Sequence, residues 1–266
     1  MSEKTAIEKS PRPFTRPYLA QALTELGVQA GMVLLVHSSL SKIGYVPGGP
    51  VAVIQALMDV LTPAGTLVMP THSSDYSDPS GWQNPPVPAD WQSVVREHIP
   101  AFDPALTPTR LMGAIPELFR TWPDVRRSNH PQVSFAAWGQ QAVRITADHS
   151  LPFGMRDSSP LARIYELDGY VLLLGVGHVN NSSLHLGEYR AGVRPVVKGG
   201  GPILENGRRV WREYQDIDYD DDPFPQIGAA LDETGAVTIG QVGLAECRLF
   251  SQQTAVDFAQ KWLATA

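Results

Sequence analysis

In the segment N-S-S-L-H-L-G-E-Y-R, residues 181–190, His185 and Glu188 stand three apart, so on a helix they share a face. A carboxylate beside an imidazole orients the ring and favours its uptake of a proton, which equips it as a general base near neutral pH. The same spacing also describes an ion pair on a helix surface. Position favours chemistry: the pair follows the most apolar run of the chain, and ligands of open α/β sheets gather beyond the C-terminal ends of strands. His37 holds the corresponding place after an earlier apolar run. The loop behind it carries Ser38, Ser39, Ser41, Lys42, Gly48 and Gly49 before a helix begins. Small residues admit an anion to backbone N–H groups, hydroxyls add donors, and a helix N-terminus adds positive potential, so a phosphate or pyrophosphate would fit. An ordinary connection between strand and helix has a similar composition.

Several other chemistries lack their signatures. No G-x-x-x-x-G-K-[ST] and no G-x-S-x-G occurs, and the Gly175-Val176-Gly177 run meets Asn180 where a dinucleotide site needs its third glycine. His72, Asp75, Asp78 and Asp103 are of metal-ligating types, but their spacing matches no established motif, and no metal is expected. The single cysteine, Cys247, lies in a late apolar run and is expected to be a packing residue rather than a nucleophile. Residues 213–222, EYQDIDYDDD, hold six acidic side chains and no basic one, and read as a solvated acidic loop.

The elements that must position these groups follow from periodicity. Arg16–Leu26 carries apolar residues at 19, 22, 23 and 26, with Thr15 before it, Pro17 in its first turn and Gly27 as its stop, and predicts a helix covering the core. Strands are expected over 32–37, 66–69, 133–137 and 170–176, with helices whose apolar face includes Ile54, Leu57, Met58 and Leu61, and over 112–122, 140–147 and 160–167. The run YVLLLGV is apolar on both faces and is expected at the centre of the sheet. Residues 70–108 form a long loop rich in Pro, Ser, Asp and Trp, and loops of that length in compact domains are usually functional. Short strands over 195–198, 209–214, 236–239 and 246–250 predict a β-rich C-terminal annex, followed by an amphipathic helix that Ser251 caps. The alternation of strand and helix predicts an α/β three-layer sandwich around a mostly parallel or mixed sheet. Residues 1–14 are expected to be loose, and 15–266 to form one domain.

With 266 residues and 43% hydrophobic composition the chain can bury a full core. A net charge of −6 argues against nucleic acid and suits a cationic partner. The charged, Pro-containing start of the sequence reads as neither signal peptide nor membrane anchor, and with one cysteine it fits a reducing cytoplasm.

Five blocks, LLVHSSLSKIGYVPGG (34–49), GTLVMPTHS (65–73), SNHPQVSFAAWG (128–139), VLLLGVG (171–177) and LHLGEYR (184–190), together resemble the aminoglycoside 3-N-acetyltransferase, or antibiotic N-acetyltransferase, family, in order and over roughly 16–263. The resemblance implies that fold, acetyl-CoA as donor, no metal, and acetyl transfer in a ternary complex to the 3-N amine of an aminoglycoside, giving antibiotic resistance. It implies His185 as base with Glu188 behind it, and His37 helping to hold the thioester or the base. It further implies Ser38, Ser39 and Lys42 as contacts to coenzyme phosphate or pantetheine, Gly113 as a backbone approach to the pantetheine arm, and Asp75, Tyr76 and Trp82 as substrate contacts. The lead-in Asn180-Asn181-Ser182-Ser183 departs from the family, where a Thr is common. Two other readings accompany it: a relative acting on another amine, and a protein that binds an amine or coenzyme A without turnover.

Overall fold

The computed structural model describes residues 3–265. Nine strands form among them: β1 Val33–Ser38, β2 Thr66–Pro70, β3 Arg126–Arg127, β4 Phe135–Gly139, β5 Tyr170–Leu174, β6 Val196–Glu205, β7 Arg208–Ile217, β8 Thr238–Val242 and β9 Ala245–Ser251. Seven build one sheet in the order β3-β4-β2-β1-β5-β9-β8. Its centre is parallel, β1 lying between β2 and β5, with Val36 opposite Leu172 and Leu35 opposite Val68. Both margins are antiparallel, β4 running against β2 and β9 against β5.

Alternation along the central strands explains the three layers, because successive side chains leave opposite faces of a sheet. Leu34, Val36, Leu67, Met69, Leu172 and Leu174 meet Leu19 and Leu23 of the Arg16–Leu26 helix, Ile54, Leu57 and Leu61 of Gly49–Leu61, and Ile115 and Phe119 of Ala114–Phe119. Leu35, Val68, Val171 and Leu173 meet the other layer, with Leu161, Leu184, Leu186, Ile227 and Val256 from the helices Pro160–Glu166, Ser183–Ala191, Phe224–Glu233 and Gln252–Thr265. Each such leucine or valine, fully buried, contributes roughly 1.5–3 kcal/mol before entropy is counted.

Three regions differ from the sequence reading. Residues 3–9, within the stretch expected to be loose, form the helix Glu3–Lys9, and Ser10 fastens the chain beyond it by accepting from the Tyr45 N–H at 2.7 Å, while Phe14 is buried. The C-terminal strands divide: β8 and β9 extend the main sheet, and only β6 and β7 form a separate two-stranded ribbon. The triple glycine 199–201 does not end β6; a side chain on Gly201 would come within 2.7 Å of the Tyr76 carbonyl, so glycine lets the ribbon close on the long loop. Half of the acidic run is strand, its first five residues finishing β7, and a helix, Phe224–Glu233, follows shortly after it.

Candidate active site

His185 and Glu188 lie on Ser183–Ala191, the helix that follows β5 after a short turn, and they meet. Glu188 has no exposed side-chain surface, and its Oε2 is 2.8 Å from His185 Nδ1. Its other oxygen accepts from Arg194 Nε at 2.6 Å and from the Asp220 backbone N–H at 3.2 Å. A carboxylate only accepts, so paired with it His185 donates from Nδ1 and keeps Nε2 as its acceptor. Tyr219 and Phe224 hold the imidazole at ring-centre distances of 5.0 and 4.7 Å. Arg194 also pairs with Asp220 Oδ2 at 2.8 Å, so one guanidinium joins the histidine's carboxylate to the acidic segment.

Neither residue lines the nearby cleft of about 640 Å³, which reaches Ser182, next to their helix, and His37, whose imidazole feels the charge of His185. His37 and Ser38 at the end of β1, Ser39, Ser41, His72 beyond β2, and Asn180 and Ser182 before the His185 helix line it. Leu111, Met112, Gly113 and Pro116 line it as well. Gly113 takes φ +88, a conformation that glycine adopts without strain, and leaves open backbone at the cleft. Burial, and then the neighbouring His185, push His37 down to about 3. His72 falls to about 3 as well, through burial first and then His37, His185, His130 and Arg127. Both are neutral near pH 7. Ser38 Oγ and the Nε2 atoms of His37 and His72 are buried without a hydrogen-bond partner among the described residues. Polar atoms left so at a cleft suit a ligand with amide and carbonyl groups.

A family model for aminoglycoside 3-N-acetyltransferase matches residues 35–264. The chain belongs to the aminoglycoside 3-N-acetyltransferase family, a family of acyltransferases. It is 47% identical over 260 residues to the SPbeta prophage-derived aminoglycoside N(3')-acetyltransferase-like protein YokD of Bacillus subtilis, covering 97% of this chain and 96% of that protein. It is 40% identical to aminoglycoside N(3)-acetyltransferase III of Pseudomonas aeruginosa, covering 94% of each. The crystal structure of the B. subtilis YokD protein superposes with a TM-score of 0.97 at 46% identity, covering 98% of this chain and 97% of that one. AAC-IIIb, solved with CoASH, matches at TM-score 0.85 and 30% identity, covering 94% and 96%. AAC-VIa, solved with sisomicin, gives 0.85 and 29%, covering 96% and 98%.

Within this family member the sequence-derived site residues separate into three groups. His37, Ser38, Ser39 and Gly113 line the cleft, with His185 and Glu188 beside it. Lys42 does not line it: the short helix Leu40–Ile43 turns this side chain away toward Gly175, into a second cavity shared with His178, Asp232 and Arg248. Asp75, Tyr76 and Trp82 lie outside the cleft lining, on the long loop. Asp75 Oδ1 is buried without a partner, the Tyr76 ring stands 6.2 Å from Phe102, and Trp82 Nε1 donates to Ser77 Oγ at 2.9 Å. Of the four residues of metal-ligating type, Asp78 pairs with Arg96 at 2.7 Å and Asp103 accepts from the Ala105 N–H at 2.8 Å, while His72 joins the cleft.

Sequence reasoning missed the residues that hold the site in place. Arg127 of β3 donates to Thr71 O, Ser73 Oγ and Thr107 O and stacks on Phe102 at 4.9 Å, fastening both ends of the long loop; burial pushes its guanidinium down to about 10. Asp216, buried at the end of β7, accepts from Tyr189 and Tyr219 hydroxyls, and burial pushes its carboxyl up. Cys247 is buried in β9, as its apolar setting suggested, and burial raises its thiol to about 11.

Proposed function

We propose that this protein transfers the acetyl group of acetyl-CoA to the 3-amino group of an aminoglycoside, directly and in a ternary complex, and thereby confers resistance to such antibiotics. The observation that carries the reading is the fully buried Glu188, held by Arg194 and the Asp220 N–H and 2.8 Å from His185 Nδ1, close to a cleft lined by His37 and Ser38. Relatives solved with CoASH and with sisomicin support donor and acceptor of this kind.

A protonated amine has no lone pair with which to attack a thioester, so it first loses one proton to solvent, and the neutral amine sheds a second as it attacks, which the site must take up. His185 Nε2 is the acceptor. As the amine nitrogen bonds to the thioester carbonyl carbon its proton passes to Nε2, the Nδ1 proton stays directed at Glu188, and collapse breaks the C–S bond. The proton on His185 then neutralises the departing thiolate. His37 and His72, held neutral, leave the site without a competing cation and can each donate one N–H to the carbonyl oxygen as it gains charge. Ser38, Ser39 and the open backbone at Gly113 receive the pantetheine arm. Asp75 and Tyr76, with the acidic segment around Asp220, receive the cationic sugar amines.

Mass spectrometry and NMR of the product from acetyl-CoA and gentamicin- or apramycin-like amines test reaction and position together. One added acetyl on the 3-nitrogen is expected. A product acetylated elsewhere overturns the regiochemistry, parallel double-reciprocal lines overturn the ternary complex, and no product from any amine of a broad panel overturns the activity.

A further inference from the structure

Seven residues other than glycine have positive φ among the described residues, and of these Leu111 alone lines the cleft. Its φ of +60 is a conformation that asparagine and aspartate tolerate and that costs a leucine conformational energy. It is also 89% exposed, so this side chain gains almost nothing from the protein's own core. A residue with the wrong backbone preference and the wrong solvent would relax if its surroundings allowed. They do not, because the flanking chain is fastened on both sides. Ser73 Oγ donates to Pro108 O at 2.9 Å, Thr109 N–H to Glu117 Oε2 at 2.7 Å, Arg110 N–H to His72 O at 2.8 Å, and beyond it Glu117 N–H to Gly113 O at 3.3 Å. Strained residues held in this way cluster at ligand clamps. Leu40, Tyr45 and Val46, together with Met112 and Ile115, make much of the rest of the cleft lining apolar.

The geometry points to Leu111 as an apolar clasp that covers the pantetheine arm of the coenzyme, a reading that rests on the coenzyme placement proposed above. The arm alternates methylene and gem-dimethyl groups with amides. Leu111 covers the hydrocarbon from the solvent side, while Gly113 backbone and the Ser38 and Ser39 hydroxyls serve the amides. The leucine thus recovers on binding the burial it lacks in the free protein, which places its contribution in coenzyme affinity rather than in folding.

Leu111→Gly removes the clasp and suits the positive φ; Leu111→Met keeps an apolar chain. Calorimetry with CoA is expected to show binding weakened on the order of tenfold in the glycine variant and within about twofold of wild type in the methionine variant. Pantetheine, as a competitor, should lose the same factor, and adenosine 3′,5′-bisphosphate should lose nothing. The melting temperature without ligand should be unchanged or higher in Leu111→Gly. Equal CoA affinity in wild type and Leu111→Gly overturns the clasp and leaves the coenzyme reading intact. A loss shared by pantetheine and the bisphosphate, with a lowered melting temperature, also overturns it, since that is the signature of a merely structural residue. Failure of the wild-type protein to bind CoA removes the coenzyme reading and the clasp together.

Discussion

The ends of β1 and β5 and the long loop under the β6–β7 ribbon are built on opposite plans. Around His37, His185 and Glu188 the neighbouring strands are almost wholly buried, and Glu188 has each oxygen engaged. The loop over residues 71–107 has short 3₁₀ turns, a helix Gln92–His98 with no buried residue, and strongly exposed Trp91 and Val94. It is fixed chiefly at its ends and by a few contacts to the ribbon, among them Phe102 N–H to Pro202 O at 2.8 Å. In the proposed function, chemistry that fails when a group shifts by an ångström falls to the rigid part, and recognition of a large polar amine to the adaptable one.

That contrast is open to attack, first through the largest effect. His185→Ala should lower kcat by on the order of 10²–10⁴ while the fold is kept; near-normal turnover of the folded variant with acetyl-CoA and a good aminoglycoside would remove His185 from the chemistry. Glu188→Gln should cost about 1–3 kcal/mol of unfolding free energy in a denaturant titration, because Arg194 and His185 lose a charged, buried acceptor while Arg194 keeps Asp220. A change below about 1 kcal/mol would mean that water reaches the pair. Acid should attack the same region. His37, His72 and His130 fall to about 3, about 3 and about 4, and His149 is lowered too, burial being the first cause for all four. Their unfolded forms bind protons below about pH 6.5 while the folded forms do not, so stability falls as pH drops from there toward 4. Each histidine adds a slope approaching about 1.4 kcal/mol per pH unit. Counting protons taken up on unfolding at pH 5 in wild type and His72→Gln should reveal a deficit of about one in the variant. The smallest effect belongs to the loop. Asp75→Asn should raise KM for the amine by roughly three- to tenfold and spare kcat, since the substrate's charge is bound before and during reaction alike; a drop confined to kcat would place Asp75 in the chemistry.

Local signals were legible in proportion to how local their causes are. The Arg16–Leu26 helix has its bounds written in one apolar stripe between Thr15 and Gly27, and His185 and Glu188 meet because a helix brings positions three apart together. The ribbon was longer than its sequence suggested, because glycines that usually interrupt a strand are needed here for close approach to Tyr76. The Phe224–Glu233 helix was hidden by Pro223 and Pro225, which sit at its N-terminal end, where proline is tolerated. Arg127 gave no signal because Thr71 and Ser73 lie more than fifty residues away, and Asp216 was read only as part of the acidic run because Tyr189 lies 27 residues before it. Arg194 is six residues from Glu188 and still escaped notice, since the bond forms only after the chain turns at Gly192. Lys42 shows the reverse: its loop has the composition of a phosphate site, and one helical turn places it on the second cavity instead of the cleft.

Arg127 has a consequence for how such a protein can change over generations. By holding Thr71, Ser73 and Thr107 at once, it closes the long loop at its base like the neck of a bag, and the residues beyond are largely independent of the sheet. If the loop receives the substrate as proposed, substitutions, insertions or wholesale exchange between those points alter what the protein grips without reaching the strand that carries His37 or the helix that carries His185, so lineages can diversify their substrates while inheriting one reaction.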